Sequence, residues 1–213
     1  MKKIKKNIQI SCDGGAATGK STGAKLISRK YKLKFLSSGL LYRYASYLIL
    51  NFKPKKQSLF LKKKFKKLKY SRLKKINLHS PLISEHSAIL AKKSEIRKIL
   101  KKFQVDFSKK NKNCCIEGRD ISTKILPNSD LKFFFKCNLD IAALRRYKEL
   151  KKKNPNIKKK DVKKALKIRN LLDTKRKNSP LLRHPESIEI DSGKLTKQAM
   201  LKKMSKYVER LLN

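Results

Sequence analysis

The segment Ile8-Gln9-Ile10-Ser11-Cys12-Asp13-Gly14-Gly15-Ala16-Ala17-Thr18-Gly19-Lys20-Ser21-Thr22 frames the whole chain. Gly14 to Ser21 fit G-x-x-x-x-G-K-[ST], the phosphate-binding loop pattern. A short apolar run, Ile8 to Cys12, precedes the loop and reads as a buried parallel strand. A helix-compatible segment, Lys20 to Lys30, follows it. Backbone N–H groups of such a loop, with the helix N-terminus behind them, form a cradle for oxyanions. Glycines let the backbone approach closely and take positive φ. Lys20 would reach the outer phosphates, and the Ser21 hydroxyl would sit on Mg²⁺.

Working outward, the strand–loop–helix repeats in coarser form. Phe35-Leu36 reads as a second strand ending at Ser37-Ser38-Gly39, and Gly39 to Leu50 as a helix. That order predicts a right-handed parallel α/β unit. From Asn51 to about Leu78 the chain becomes lysine-dense but keeps Leu59, Phe60, Leu61, Phe65 and Leu68, which predicts an ordered amphipathic excursion. Pro81 is expected to break the chain, and Ser84 to Lys110 to be mostly helical. Further strands are expected at Cys114 to Glu117, Leu131 to Cys137 and Ser187 to Asp191. Helices are expected at Asp140 to Lys152, Lys158 to Lys177 and Leu195 to Leu212, with a turn at Asn154-Pro155-Asn156.

Composition narrows the class. The 213 residues suit one domain with a core of its own. No apolar run approaches the roughly 20 residues of a membrane span. Met1 to Lys6 is basic but leads into no signal-peptide apolar core, so a cytoplasmic protein is expected. The formal charge of +44 rests on 48 lysines against 11 arginines, with lysine spread along the whole chain. We read it as general lysine enrichment with nonspecific, salt-sensitive polyanion binding as its consequence; RNA or ribosome binding is the alternative. Cys12, Cys114, Cys115 and Cys137 form no C-x-x-C pair, lie in apolar runs, and are expected as buried free thiols. His79, His86 and His184 are far apart in sequence and suggest no metal site.

Against a lysine background each arginine is informative, because its planar five-donor fork suits bidentate phosphate and carboxylate contacts. Arg43 and Arg119 follow strands on the side where α/β sheets bind ligands. Arg97 lies in the 51–110 segment, and Arg145, Arg146, Arg169 and Arg176 fall in the two helices after Asp140. A phosphate loop with several separate arginines suggests phosphoryl transfer between two nucleotides, with catalysis by positioning and charge neutralisation. Water must be excluded, so a closing lid is expected.

Six blocks stand out in order: Ile10 to Thr22; Ser38-Gly39-Leu40-Leu41-Tyr42-Arg43; Glu95-Ile96-Arg97; Gly118-Arg119-Asp120-Ile121; Arg169…Asp173…Arg176…Ser179-Pro180-Leu181; and Ile190-Asp191-Ser192. In this order they resemble the bacterial cytidylate kinases, the CMP/dCMP kinases among the P-loop nucleoside monophosphate kinases. The resemblance runs from Ile8 to about Tyr207. It implies a three-layer α/β fold with a central parallel sheet. The single kinase domain would have a core at about 7–50, 111–140 and 180–213, an NMP-binding insert at about 51–110 and a helical lid at about 141–179. It implies ATP as donor, Mg²⁺ held through ATP, and CMP or dCMP as acceptor. Gly14, Gly15, Ala16, Ala17, Thr18, Gly19, Lys20, Ser21 and Thr22 would bind ATP, with Lys20, Arg145 and Arg146 catalytic. Ser38, Arg43, Arg97, Arg119, Asp120, Arg169, Asp173 and Arg176 would line the CMP site. Family roles give the base to Arg97 and Asp120, the α-phosphate to Arg43, Arg119 and Arg176, and the ribose to Asp173 and Arg169. A monomer is expected. Transfer to UMP or AMP by a related P-loop kinase is the alternative within the enzyme class.

The chain departs from the family at Ser37, where an aspartate is usual, at Gly15 for the usual proline, and at Glu117, where an aspartate is common. Ala88 stands where a serine contacts the base, next to Ser87. Leu172 and Thr174 replace charged residues. Residues 51–78 are shorter than usual and lack a β-rich pattern.

Overall fold

Short apolar runs pair as the five parallel strands β1 (Gln9–Gly14), β2 (Lys34–Ser37), β3 (Cys114–Gly118), β4 (Leu131–Lys136) and β5 (Ile188–Asp191) in a computed structural model that describes residues 7–152 and 154–212. The basic Met1–Lys6 segment lies outside the described residues. The sheet order is β2-β3-β1-β4-β5. β1 therefore sits at the centre, in register from Gln9↔Cys114 to Asp13↔Gly118 on one side and from Ile10↔Leu131 to Gly14↔Phe135 on the other. All ligand-facing loops leave the carboxyl ends of these strands, where open α/β sheets bind their substrates.

Helices cover both faces, and the two-residue period of a strand explains how. Cys114 and Ile116 point to one face, where they pack with Leu36, α2 (Ser38–Phe52), α3 (Gln57–Lys66) and α5 (Ser94–Lys110). Cys115 points to the other, where it joins Ile10, Cys12, Phe133 and Phe135 under α1 (Lys20–Lys30) and α8 (Lys197–Leu212). Adjacent Cys114 and Cys115 thus belong to opposite cores. Cys12, Cys114 and Cys115 are buried free thiols, as expected; Cys137 is free but only half-buried. On the α1 side helix and sheet come so close that a Cβ on Gly23 would lie 2.6 Å from Phe135 Cζ.

The lysine-dense stretch is ordered and helical. In α3, Leu61 and Phe65 are buried one turn apart while Lys62, Lys63, Lys64 and Lys66, and Lys67 just after it, face water. A 3₁₀ turn, Tyr70–Lys75, buries Leu73 and hands the chain to α4 (Pro81–Leu90). One expectation is corrected here. Pro81 starts a helix rather than breaking the chain: its missing N–H costs nothing in the first turn, and Ser80 Oγ caps the Ile83 N–H. Residues 84–110 are mostly helical, as expected, in two helices separated after Leu90.

After β4, the chain forms a hairpin of α6 (Leu139–Lys151) and α7 (Lys159–Lys175). Ala142, Ala143, Val162 and Leu166 are its core, and Ala16 and Ala17 of the Gly-rich loop pack against that core. Among the described residues no helix is long and apolar enough to cross a membrane.

Candidate active site

The loop between β1 and α1 is built around backbone that only small residues permit. Gly14 has φ +153°, and a Cβ there would lie 2.4 Å from the Phe135 carbonyl oxygen. Gly19 is the N-cap of α1 with φ +77°. Ala17, at φ 58°, is the loop's one non-glycine with positive φ. Thr18 Oγ1 donates to the Gly15 carbonyl at 3.0 Å. Ser21 and Thr22 occupy the first turn of α1, both half-buried. Lys20 is folded back into the loop: its Nζ donates to Gly15 O at 3.0 Å and lies 4.0 Å from Glu117 Oε2. Burial, reinforced by the nearby Arg119 guanidinium, pulls the Lys20 ammonium down to about 7.

The sequence-predicted arginines converge beside this loop. Arg119 Nε donates to Asp173 Oδ2 at 2.8 Å, Arg169 Nε reaches the same oxygen at 3.4 Å, and Arg176 Nη1 is 3.5 Å from Asp173 Oδ1. Burial opposes the Asp173 charge, but these three guanidiniums outweigh it and hold the carboxyl below its usual range. Asp120 is ion-paired with Arg97 and lies 3.7 Å from Arg176 Nη2. Arg97 also donates to the Ala91 carbonyl at 3.1 Å and lies over the Tyr42 ring, 5.6 Å from its centroid. Arg176 Nη2 is buried without a hydrogen-bond partner, a donor in want of a ligand oxygen. Arg43 is hydrogen-bonded to His79. Burial, then the charges of Arg146, Arg169 and Arg119, lowers Arg43 to about 10. Ser38 is buried at the start of α2 against the Gly118 position.

The two α6 arginines part ways. Arg145 donates to Ser192 Oγ at 3.1 Å and to Ser192 O at 2.8 Å, at the Gly19 rim of the loop. Arg146 pairs with Glu149 at 3.0 Å, and its charge bears on Arg43. Ser87, beside Ala88, spends its hydroxyl on the Ser84 carbonyl at 2.7 Å within α4.

Several site residues went unmarked in the sequence reading. Asn170 Oδ1 accepts the Ala16 N–H at 2.9 Å, so α7 is bonded to the Gly-rich loop. A Cβ on Gly15 would stand 3.1 Å from that oxygen, a close approach that Asn170 would have to yield to. Arg169 Nη1 donates to Ser84 O at 2.9 Å, tying α7 to α4. The departures at 37 and 117 are in contact. Ser37 Oγ donates to Glu117 Oε1 while capping the Leu40 N–H, so this part-buried pair carries one carboxylate. Tyr70 OH accepts the Ser37 N–H at 2.7 Å. Asp13 is buried and accepts three hydrogen bonds from Ile121 and Ser122. Its partners lie more than 100 residues away along the chain.

The arrangement has one anion cradle at a helix N-terminus and, next to it, guanidiniums with fewer carboxylates than charges. Such an arrangement has the chemistry to hold phosphate-bearing molecules and to neutralise charge between them. A family model described as cytidylate kinase matches residues 10–210. A cytidylate kinase of Clostridium botulinum is 32% identical over 96% of this chain and 99% of its own. One of Rickettsia akari is 30% identical over 96% and 93%. Among solved structures, the shikimate kinase of Bacteroides thetaiotaomicron superposes with a TM-score of 0.53 at 11% identity, over 95% of this chain and 98% of that one. That likeness is one of fold, whereas the sequence matches span the loop and every arginine of the cluster, and on them this chain belongs to the cytidylate kinase family.

Proposed function

We propose that the protein transfers the γ-phosphoryl group of ATP to CMP and dCMP, releasing ADP and CDP or dCDP. The observation that carries the reading is the buried Asp120 carboxylate, paired with Arg97 and Arg176 beside the Arg43–Arg119–Arg169 cluster and Lys20. Cytosine offers an N4 donor to a carboxylate and O2 and N3 acceptors to a guanidinium. Uracil places O4 where N4–H₂ would be and leaves Asp120 facing an acceptor, a costly mismatch in a buried site. Arg43, Arg119 and Arg176 suit the acceptor phosphate, and Arg169 with Asp173 the ribose. Lys20 leaves Gly15 O and Glu117 to neutralise charge on the migrating group, with Arg146 on the acceptor side and Arg145 at the loop rim. Mg²⁺ fits this donor set: the Ser21 hydroxyl stands in the first turn of α1, and the ion would add positive charge at the β- and γ-phosphates.

Within this reading 51–110 serves as the NMP-binding insert, and the α6–α7 hairpin within 141–179 as the lid. The Asn170–Ala16 and Arg169–Ser84 contacts then hold the lid against both. Asn170→Ala should loosen that closure and admit water, raising ADP release without CMP several-fold relative to release with CMP. An unchanged ratio would make the contact incidental.

The proposal is tested by a coupled ADP-release assay with CMP, dCMP, UMP, AMP and GMP as acceptors. CMP and dCMP should lead by a wide margin. Activity on AMP or UMP equal to that on CMP, or none on CMP, would overturn it.

A further inference from the structure

Asp13 ends the ladder between β1 and β3, opposite Gly118. Its side chain is fully buried. Oδ1 accepts the Ile121 N–H at 2.8 Å; Oδ2 accepts the Ser122 N–H at 2.7 Å and the Ser122 hydroxyl at 2.6 Å. All three donors come from the two residues that directly follow Arg119 and Asp120. The strand pairing stops where this loop begins, so the carboxylate continues the attachment that the ladder no longer supplies. The donor set also requires a carboxylate. An asparagine has one acceptor oxygen and would turn an NH₂ group toward backbone N–H donors.

The opposite side of the same residue is the ATP loop, since Gly14 follows Asp13 directly. That loop has its own supports: Gly14 beneath Phe135 O, Thr18 Oγ1 on Gly15 O, and Ser192 Oγ on Thr18 O at 2.8 Å. None of the Asp13 side-chain bonds goes to it. Losing the carboxylate would therefore leave the donor cradle standing and free the acceptor loop. In a site that works by placement, an error of about 1 Å costs on the order of 10²-fold in rate.

We infer that Asp13 is a positioning residue for the acceptor nucleotide: its carboxylate holds Ile121 and Ser122 so that Arg119 and Asp120 face the acceptor at a fixed offset from the ATP loop. The inference rests on the acceptor roles proposed above for Arg119 and Asp120. Asp13 touches neither substrate and acts through those two side chains.

The test uses Asp13→Asn and Ser122→Ala in the full chain, with steady-state kinetics in CMP, UMP and ATP and thermal melts alongside. Asp13→Asn should raise KM for CMP about tenfold or more, leave KM for ATP within about twofold, and narrow the CMP-over-UMP preference in kcat/KM. Ser122→Ala removes one donor of the three and keeps the backbone bonds, so it should shift the same parameters in the same direction by less. It carries the test alone if Asp13→Asn does not fold. CMP and ATP constants moving together, or a lower Tm with the CMP constants and base preference unchanged, would reduce Asp13 to a structural residue and overturn the inference. A wild-type protein inactive on CMP would instead overturn the functional reading, so the two failures are distinguishable.

Discussion

Asp173→Ala is expected to unfold the protein about 10 °C earlier and to cut kcat/KM for CMP by about 10²-fold or more. Asp173 is only 3% exposed, and its two oxygens are shared among Arg119, Arg169 and Arg176. Those guanidiniums already repel: burial and Arg119 lower Arg169, while burial and Arg97 lower Arg176. Removing the carboxylate leaves three half-desolvated cations without their common partner, the situation in which breaking a buried pair costs about 3–5 kcal/mol. A depressed folded-state pKa for an acid means its stabilisation is fully present above the usual carboxylate range near 4 and is lost as pH falls below it. The deficit of the variant should therefore be constant from neutral pH to about 4 and shrink in stronger acid. Because Asp173 is also placed on the ribose, CMP should raise the Tm of the variant less than that of the wild type. Calorimetry with and without CMP checks both points. An unchanged melting curve would show that the arginines do not depend on Asp173.

Lys20→Met should show the opposite pairing of effects. We expect kcat to fall by about 10²–10³-fold with little change in the KM for CMP, and Tm to stay level or rise. The ammonium is buried, and the fold pulls it down to about 7 from an ordinary value of 10.5. Between those values the unfolded chain binds more protons than the folded one. Stability from this residue is thus lowest below pH 7 and recovers as pH rises toward 10.5. Methionine removes the burden, and Glu117 Oε1 still accepts from the Ser37 hydroxyl. Melts from pH 6.5 to 9.5 should rise more steeply for the wild type than for Lys20→Met. Parallel curves would mean that the lysine is not desolvated in the empty site.

Most of the architecture was readable because it is written in short-range chemistry. The run Ile8 to Cys12, the Gly-rich loop and the α1 segment declare themselves by apolar content, glycine spacing and a fixed offset to Lys20. The apolar residues kept within the lysine-dense stretch marked it as ordered, while its helical form came only with the burial of Leu61 and Phe65. The arginines stood out because lysine is this chain's default cation. Element edges were less legible. Pro81 looked like a break until its place at the first helical position was seen, and the interruption after Leu90 left no strong mark in an otherwise helix-forming run.

The residues that join the two halves of the site left no comparable mark. Asp13 reaches Ser122 across 109 positions, Ala16 reaches Asn170 across 154, and Arg119 reaches Asp173 across 54. A carboxylate at a strand end reads as one more loop residue until the sheet order places β3 beside β1 and brings Ile121 and Ser122 over it. An asparagine on a helix reads as a solvated face until the hairpin folds onto the loop. Periodicity, turn chemistry and a phosphate-loop pattern act within a few residues along the chain, so the sequence carries the parts of a two-nucleotide kinase openly. Which of Asp13, Asp120 and Asp173 pairs with which donor depends on distances through space that strand order and helix docking alone create, because a hydrogen bond or an ion pair counts only when its partners are within about 3–4 Å.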